Sequence, residues 1–241
     1  MIYAIVGPTG VGKTKLSIML AKALNKTKRT EIVNCDSMQV YKELNIGVAK
    51  IKENEKVDIP HHLFDIVSIN DEFSVFDYQK LGRDLINKLL SEDKNIIIVG
   101  GTGLYLKALL YDYRFDFDGD KNKPLYDFKL IALTKERKLL YDVIDKRVDM
   151  MLDEGLIDEV KSLYDKKESS RVLNKTAIGY KELISYFNNE ITKEEAILKI
   201  KQSSRRYAKR QFTFFRHQFP SITWYDVDKT SFEEIINDLT K

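Results

Sequence analysis

The sequence predicts an α/β protein, a doubly wound parallel sheet flanked by helices, with a mostly helical C-terminal part. Three observations lead there. Short apolar runs alternate with helical patterns through roughly the first hundred residues, as expected for buried parallel strands wound by helices. A glycine-rich turn joins the first of these runs to the first helix. After residue 134 the apolar spacing becomes almost wholly helical.

Taken in order, residues 2–6 (IYAIV) read as a buried strand, and Leu16, Leu20, Ala23 and Leu24 then recur at helical spacing. A second strand is expected at 31–35 and a third at 96–99, with a helix over 76–90 between them carried by Leu81, Leu85 and Leu89. Gly100-Gly101-Thr102-Gly103 turns the chain into an apolar helix, 104–110. Residues 111–127 break the pattern with aromatic and acidic residues and read as a surface connection. Within it Asp116, Asp118 and Asp120 imitate the start of a calcium loop, but Lys121 stands where that loop needs glycine, so a solvated turn is expected. A strand at 128–133 and helices over 135–152 and 156–164 follow, the helices parted by Gly155 as a stop. The expected organisation is an α/β core over 1–134 and a helical part, 135–241, packed on it.

Composition narrows the function class. With 43% hydrophobic and 32% charged residues, the 241-residue chain has material for both a core and a polar surface. The single cysteine, Cys35, excludes an intramolecular disulfide framework and Cys-based zinc sites, and fits a reducing compartment. No apolar run approaches the ~18 residues of a membrane span, and no basic leader precedes the first strand. A cytoplasmic protein with no membrane contact is expected. The formal net charge of +3 says little about partners, but residues 196–225 hold no acid while carrying Lys199, Lys201, Arg205, Arg206, Lys209, Arg210 and Arg216.

Gly7-Pro8-Thr9-Gly10-Val11-Gly12-Lys13-Thr14 matches G-x-x-x-x-G-K-[ST] between a predicted strand and a predicted helix. The glycines let backbone N–H groups converge on an anion, and the helix adds the positive end of its dipole. Lys13 supplies a point charge, and the Thr14 hydroxyl is placed to ligate Mg²⁺. The motif therefore predicts a P-loop NTPase-like core with a nucleotide- or phosphate-binding site. A Walker-B acid is absent, since the 96–99 strand ends in Gly100-Gly101-Thr102. The acid follows the other strand, as Asp36 in NCDSMQVY, and strand ends in such a sheet share one ligand-binding edge. Asp36 has three readings there: a magnesium ligand through water, a general base, or a helix N-cap. The adjacent Ser37 and Gln39 add groups able to read an adenine edge.

Seven segments, in order, resemble the tRNA dimethylallyltransferase (tRNA isopentenyltransferase) family. They are GPTGVGKT, DSMQVYKELNIGVAK, PHHLFDIVS, VGGTGLYLKALL, RVDMMLDEGLIDEV, TAIGYKEL and YAKRQFTFFR. The resemblance implies that the P-loop, Thr9 to Thr14, holds the diphosphate of dimethylallyl diphosphate together with Mg²⁺. It implies transfer of the five-carbon group to N6 of the adenine adjacent to the anticodon, with the anticodon stem–loop of tRNA as partner. Asp36 would be the base, Ser37, Met38 and Gln39 would line the adenine, and Thr102 would sit near the reacting centre. Arg147 falls at the family's diphosphate-binding arginine, although its place beside the Leu140, Val143, Ile144 and Val148 stripe reads, on the residues alone, as a solvated helix position. His61 and His62 fall within one of the resembling segments but are given no catalytic role and are read as structural. The family's bacterial members carry a helical insertion between segments like those ending at Leu110 and beginning at Ile131; here the 111–127 connection stands alone.

Over 202–218, Arg206, Arg210 and Arg216 recur near helical spacing, interleaved with Tyr207, Phe212, Phe214 and Phe215. Basic side chains neutralise phosphates, and aromatics stack on unpaired bases; the alternative is an amphipathic helix with its aromatics in the core. Arg206 and Arg210 are the expected tRNA contacts, and the chain is expected to act as a monomer. Two other activities compete: prenyl transfer to a free adenine nucleotide, and a P-loop small-molecule kinase. A non-catalytic RNA-binding protein is a third alternative.

Overall fold

A computed structural model describes residues 1–114, 123–166, 172–173 and 177–241. Among these residues the sheet has six strands, all parallel, in the order β3-β2-β4-β1-β5-β6: β1 Ile2–Val6, β2 Thr30–Asn34, β3 His61–His62, β4 Asn95–Val99, β5 Phe128–Thr134 and β6 Thr223–Asp226. The helices are α1 Lys13–Leu24, α2 Val75–Ser91, α3 Gly103–Leu110, α4 Arg137–Asp153, α5 Leu156–Asp165, α6 Tyr180–Phe187, α7 Lys193–Gln218 and α8 Phe232–Thr240. The calcium-loop imitation at Asp116, Asp118 and Asp120 lies outside the described residues.

The central strands are buried on both faces, and their apolar runs explain why. Tyr3, Ile5, Ile32 and Ile97 pack with Leu16 and Leu20 of α1 and Ile235 of α8. Ile2, Ala4, Val6, Val33, Ile96 and Ile98 belong to the cluster on the other face, with Tyr78 of α2 and Leu106 of α3. A period-2 alternation feeds two cores, so no strand needs a polar face. Helix starts follow local chemistry: Ser74, Thr192 and Ser231 each cap a helix and close a box with Asp77, Glu195 and Glu234. Gly155 sits at φ +99° between α4 and α5, the left-handed stop its residue type suggests.

Two elements escape the sequence reading. β3 is a two-residue edge strand, and β6 returns the C-terminal part to the sheet beside β5, with Ala132 opposite Trp224. Both are too short to announce themselves through periodicity, and pairing with a neighbour creates them.

Register sets up the site. Asn34 pairs with Val99, and Val99 with Ile5, so β2, β4 and β1 end side by side. Beyond these ends Cys35 N–H donates to Val99 O at 2.8 Å and Thr102 N–H to Cys35 O at 3.2 Å. Gly100 makes this approach feasible, because a Cβ there would lie 2.0 Å from the Cys35 carbonyl oxygen. Backbone cannot retreat as a side chain does. Gly100→Ala is therefore expected to cost about 3 kcal/mol or more of folding stability, read as a lowered urea midpoint; a midpoint equal to wild type would show that the two strand ends separate freely.

Candidate active site at the carboxyl edge of the sheet

The chain at the three strand ends and residues of α1, α4, α5, α6 and α7 enclose a cavity of about 420 Å³. Its floor is the loop between β1 and α1, where Gly7, Gly10 and Gly12 all take positive φ. Pro8 and Val11 complete that turn, Val11 with its side chain in the core. α1 begins at Lys13 with no side-chain cap and no acid in its first turn, so its N-terminal N–H groups are left for a ligand. Thr9, Lys13 and Thr14 line the cavity. Lys13 Nζ meanwhile donates to the carbonyls of Gly7 at 3.0 Å and Pro8 at 2.8 Å.

Of the residues expected at the site, Asp36, Ser37, Met38, Gln39, Arg147 and Arg210 also line the cavity. No helix follows Asp36, so the helix-cap reading fails. The carboxylate instead closes a turn, accepting from Met38 N–H at 2.9 Å. Thr102 stands one bond back: its hydroxyl accepts from Ser37 N–H at 3.0 Å and donates to Ser37 Oγ at 3.2 Å. Gln39 spends its amide donor on the chain itself, giving Nε2–H to Val48 O at 3.0 Å and Ala49 O at 3.3 Å. The two-bond reading of a base edge therefore loses its donor half, and the carbonyl end remains for a ligand.

Arg147 corrects the reading made from its neighbours alone. On α4 it lies within the row Ile144, Arg147, Val148 and Met151, all lining the cavity, since residues three and four apart share a helix face. Arg206 is exposed and stands outside the lining, whereas Arg210 reaches it. The aromatics of the basic segment turn inward: Phe215 is fully buried, Phe214 packs on the core, and Phe212 meets Trp224 at 5.0 Å between centroids.

The sequence reading passed over Gln211. It is 5% exposed, accepts from Thr9 N–H at 2.9 Å and donates to Gly101 O at 3.0 Å, tying the P-loop to the turn after β4. Tyr207, one turn earlier, bonds toward Thr102 and Gln211. Ile200, Ser204, Tyr207 and Gln211 form the cavity-facing stripe of α7 at four-three-four spacing. That spacing was the available signal, obscured by the basic residues between. His61 reaches the lining too, with Nδ1 2.7 Å from Ile59 O; His62 pairs with buried Glu31 at 2.6 Å.

Charge around the cavity is lopsided. Asp36 is the one carboxylate in the described lining, against Lys13, Arg147, Lys181 and Arg210. Burial lowers Lys13 to about 8, with Asp36 opposing and Arg147 adding to the fall. Burial likewise lowers Arg147 from its ordinary value and raises the Asp36 carboxyl, the latter opposed by the Met38 amide and by Lys13. Such a site favours a ligand carrying more than one negative charge. Ile144, Val148, Met151, Leu156, Ile178 and Ile200 add an apolar wall to the lining, the first three on the same face of α4 as Arg147.

Known proteins resemble the chain along nearly its whole length. A tRNA dimethylallyltransferase of Anoxybacillus flavithermus is 40% identical over 301 aligned positions covering 99% of this chain and 94% of that protein. One of Bacillus subtilis is 38% identical, covering 94% of this chain and 90% of its own. The crystal structure of a full-length tRNA isopentenylpyrophosphate transferase from Bacillus halodurans superposes with a TM-score of 0.89 at 37% identity, covering 99% of this chain and 95% of that one. The family model described as IPP transferase matches residues 39–124 and 116–218. On these matches, the chain is a prenyl-transferring enzyme and belongs to the IPP transferase family.

Proposed function

We propose that the protein transfers a dimethylallyl group from dimethylallyl diphosphate to N6 of the adenine adjacent to the anticodon in tRNA, releasing diphosphate. The observation that carries this reading is the single cavity in which a cationic P-loop, one carboxylate and an apolar wall meet. The relatives' names supply the donor and acceptor classes.

In this reading the P-loop N–H groups, Lys13 and Arg147 hold the diphosphate and absorb its charge as the C–O bond to the allylic carbon breaks. The apolar wall accommodates the five-carbon group and keeps water from it. Asp36 takes one proton from the N6 amine as the N–C bond forms, and the Gln39 carbonyl accepts a hydrogen bond from the N–H that remains. Thr102, through Ser37, holds the turn that aims Asp36. The Thr14 hydroxyl and Asp36 carboxylate are hard oxygen donors beside the phosphate site, a sparse set that suits magnesium when phosphate oxygens and water complete its shell. No cluster of three His, Cys, Asp or Glu residues suited to a metal exists among the described residues. Bound there, magnesium would neutralise charge on the leaving diphosphate.

The acceptor is read as RNA because α7 presents Lys199, Arg206, Lys209, Arg210 and Arg216 outward from the cavity rim; a free nucleotide needs no such track. A tRNA acceptor places the reaction in the cytoplasm, and one chain supplies every group named, so a monomer suffices. No helix among the described residues is long and apolar enough to cross a membrane.

The direct assay combines magnesium, labelled dimethylallyl diphosphate and either unmodified tRNA or AMP, with ATP turnover followed in parallel. Label in tRNA is expected; label in AMP alone, or phosphoryl transfer from ATP, would replace the reading. Asp36→Asn is expected to slow transfer ~10²–10⁴-fold while diphosphate binding persists, and wild-type rates would remove Asp36 as base. Lys13 carries its proton below about 8 and loses it above, so diphosphate affinity measured by calorimetry should fall roughly tenfold from pH 7 to pH 9. A flat profile would place the Lys13 charge outside the binding site. Arg206→Ala and Arg210→Ala should each weaken tRNA binding and lower its salt slope by about one; an unchanged slope would take them off the RNA path.

A further inference from the structure

Glu159 lies on α5, yet its carboxylate serves a loop more than a hundred residues earlier. One oxygen accepts from Ile46 N–H at 2.9 Å; the other accepts from Gly47 N–H at 3.2 Å and from the Tyr180 hydroxyl at 2.5 Å. Tyr180 is fully buried at the start of α6, and its ring lies so close to Gly47 that a Cβ there would be 2.5 Å away. Two helices thus pin one short loop by charge-assisted hydrogen bonds and by contact.

The pinned loop leads straight to the acceptor side of the cavity. Gly47, Val48 and Ala49 line it, and the carbonyls of Val48 and Ala49 are the two that hold the Gln39 amide. Ala49 is held at φ +47°, a left-handed conformation that alanine keeps only where its surroundings impose it. A displaced loop would release Gln39 to rotate and exchange its carbonyl for its NH₂ group.

We propose that Glu159 and Tyr180 are positioning residues for the acceptor: they fix the 46–49 loop so that Gln39 presents a carbonyl oxygen, a group that accepts from an exocyclic amine and rejects a purine bearing a 6-oxo group. This rests on the acceptor reading given above. The Glu159 bonds go to Ile46, Gly47 and Tyr180 and to no P-loop residue, so the pair is expected to act on the acceptor more than on the diphosphate.

The test uses the full chain with Glu159→Gln, which sets an NH₂ against backbone N–H donors, and Tyr180→Phe, which keeps the ring against Gly47. In Glu159→Gln the KM for an unmodified anticodon stem–loop is expected to rise about tenfold, the loss of one charge-assisted bond. Tyr180→Phe should raise it by about threefold, and in both the KM for dimethylallyl diphosphate should stay within about twofold of wild type. Amide hydrogen exchange at Ile46 and Gly47 should accelerate in Glu159→Gln. Unchanged exchange overturns the clamp whatever the enzyme acts on. Accelerated exchange with an unaltered acceptor KM, or an equal loss for donor and acceptor, overturns its part in acceptor selection. A wild-type protein that labels no RNA sinks the functional reading and this acceptor role with it, while exchange still decides whether the clamp exists.

Discussion

Two enclosed cations, Lys13 and Arg147, share a cavity with one carboxylate at the carboxyl edge of a parallel sheet, and the fold is arranged around that imbalance. Enclosing like charges is costly unless an opposite charge arrives. Asp36 offsets part of the cost, as its raising effect on both cations shows. Lys13 meanwhile leans on two P-loop carbonyls, which satisfy two of its three donors without neutralising its charge. The remaining deficit favours a multiply charged anion. The uncapped start of α1 adds its own N–H groups to that preference.

The geometry depends on α7 as much as on the sheet. Gln211 spends both ends of its amide between Thr9 and Gly101, so the P-loop and the turn after β4 move as one body with the helix. Gly101 has no room for a side chain: a Cβ would lie 2.0 Å from Gln211 Nε2. Ion pairs of Arg205 with Asp145 and of Lys201 with Asp149 bind α7 to α4, the helix that carries Arg147. The helix that positions the phosphate loop therefore also bears the exposed basic residues. The cavity-lining stripe and the exposed basic residues are two faces of one helix.

Much of this was legible in the chain. Strands buried on both faces announce themselves as unbroken apolar runs, so β1, β4 and β5 and their helices were readable within a residue or two. The P-loop glycines and Asp36 were readable because their chemistry is local. Periodicity puts Arg147 and Gln211 on helix stripes but does not say what those stripes face. Each polar side chain sits in a stripe that faces a cavity, and a cavity face looks like a core face until the space behind it is known. Phe212, Phe214 and Phe215 misled in the opposite sense, since their place among basic residues suggested stacking while their helix face turned them inward. Edge strands β3 and β6 exist through pairing, which no local pattern encodes.

The connection after α3 shows why such a core tolerates change at that point. Alignment with the Anoxybacillus relative runs over 301 positions, more than the 241 residues present here, and the family match divides into two stretches that meet within 116–124. On either side of that junction the backbone is already closed. Leu125 N–H donates to Leu110 O at 2.9 Å, Asp112 N–H to Lys123 O at 2.9 Å, and Tyr111 bridges Pro124 in antiparallel fashion. Gln79 and Arg83 of α2 hold the same end, donating to the carbonyls of Ala108, Tyr111 and Tyr113. The stem is thus fixed by contacts outside whatever it carries. Lengthening or shortening the segment between its arms changes loop entropy only slowly and leaves α3 and β5 in place. None of the groups lining the cavity lies on the stem. The cavity and the connection are therefore separable in this architecture: a chain with a short connection keeps every group that lines the cavity.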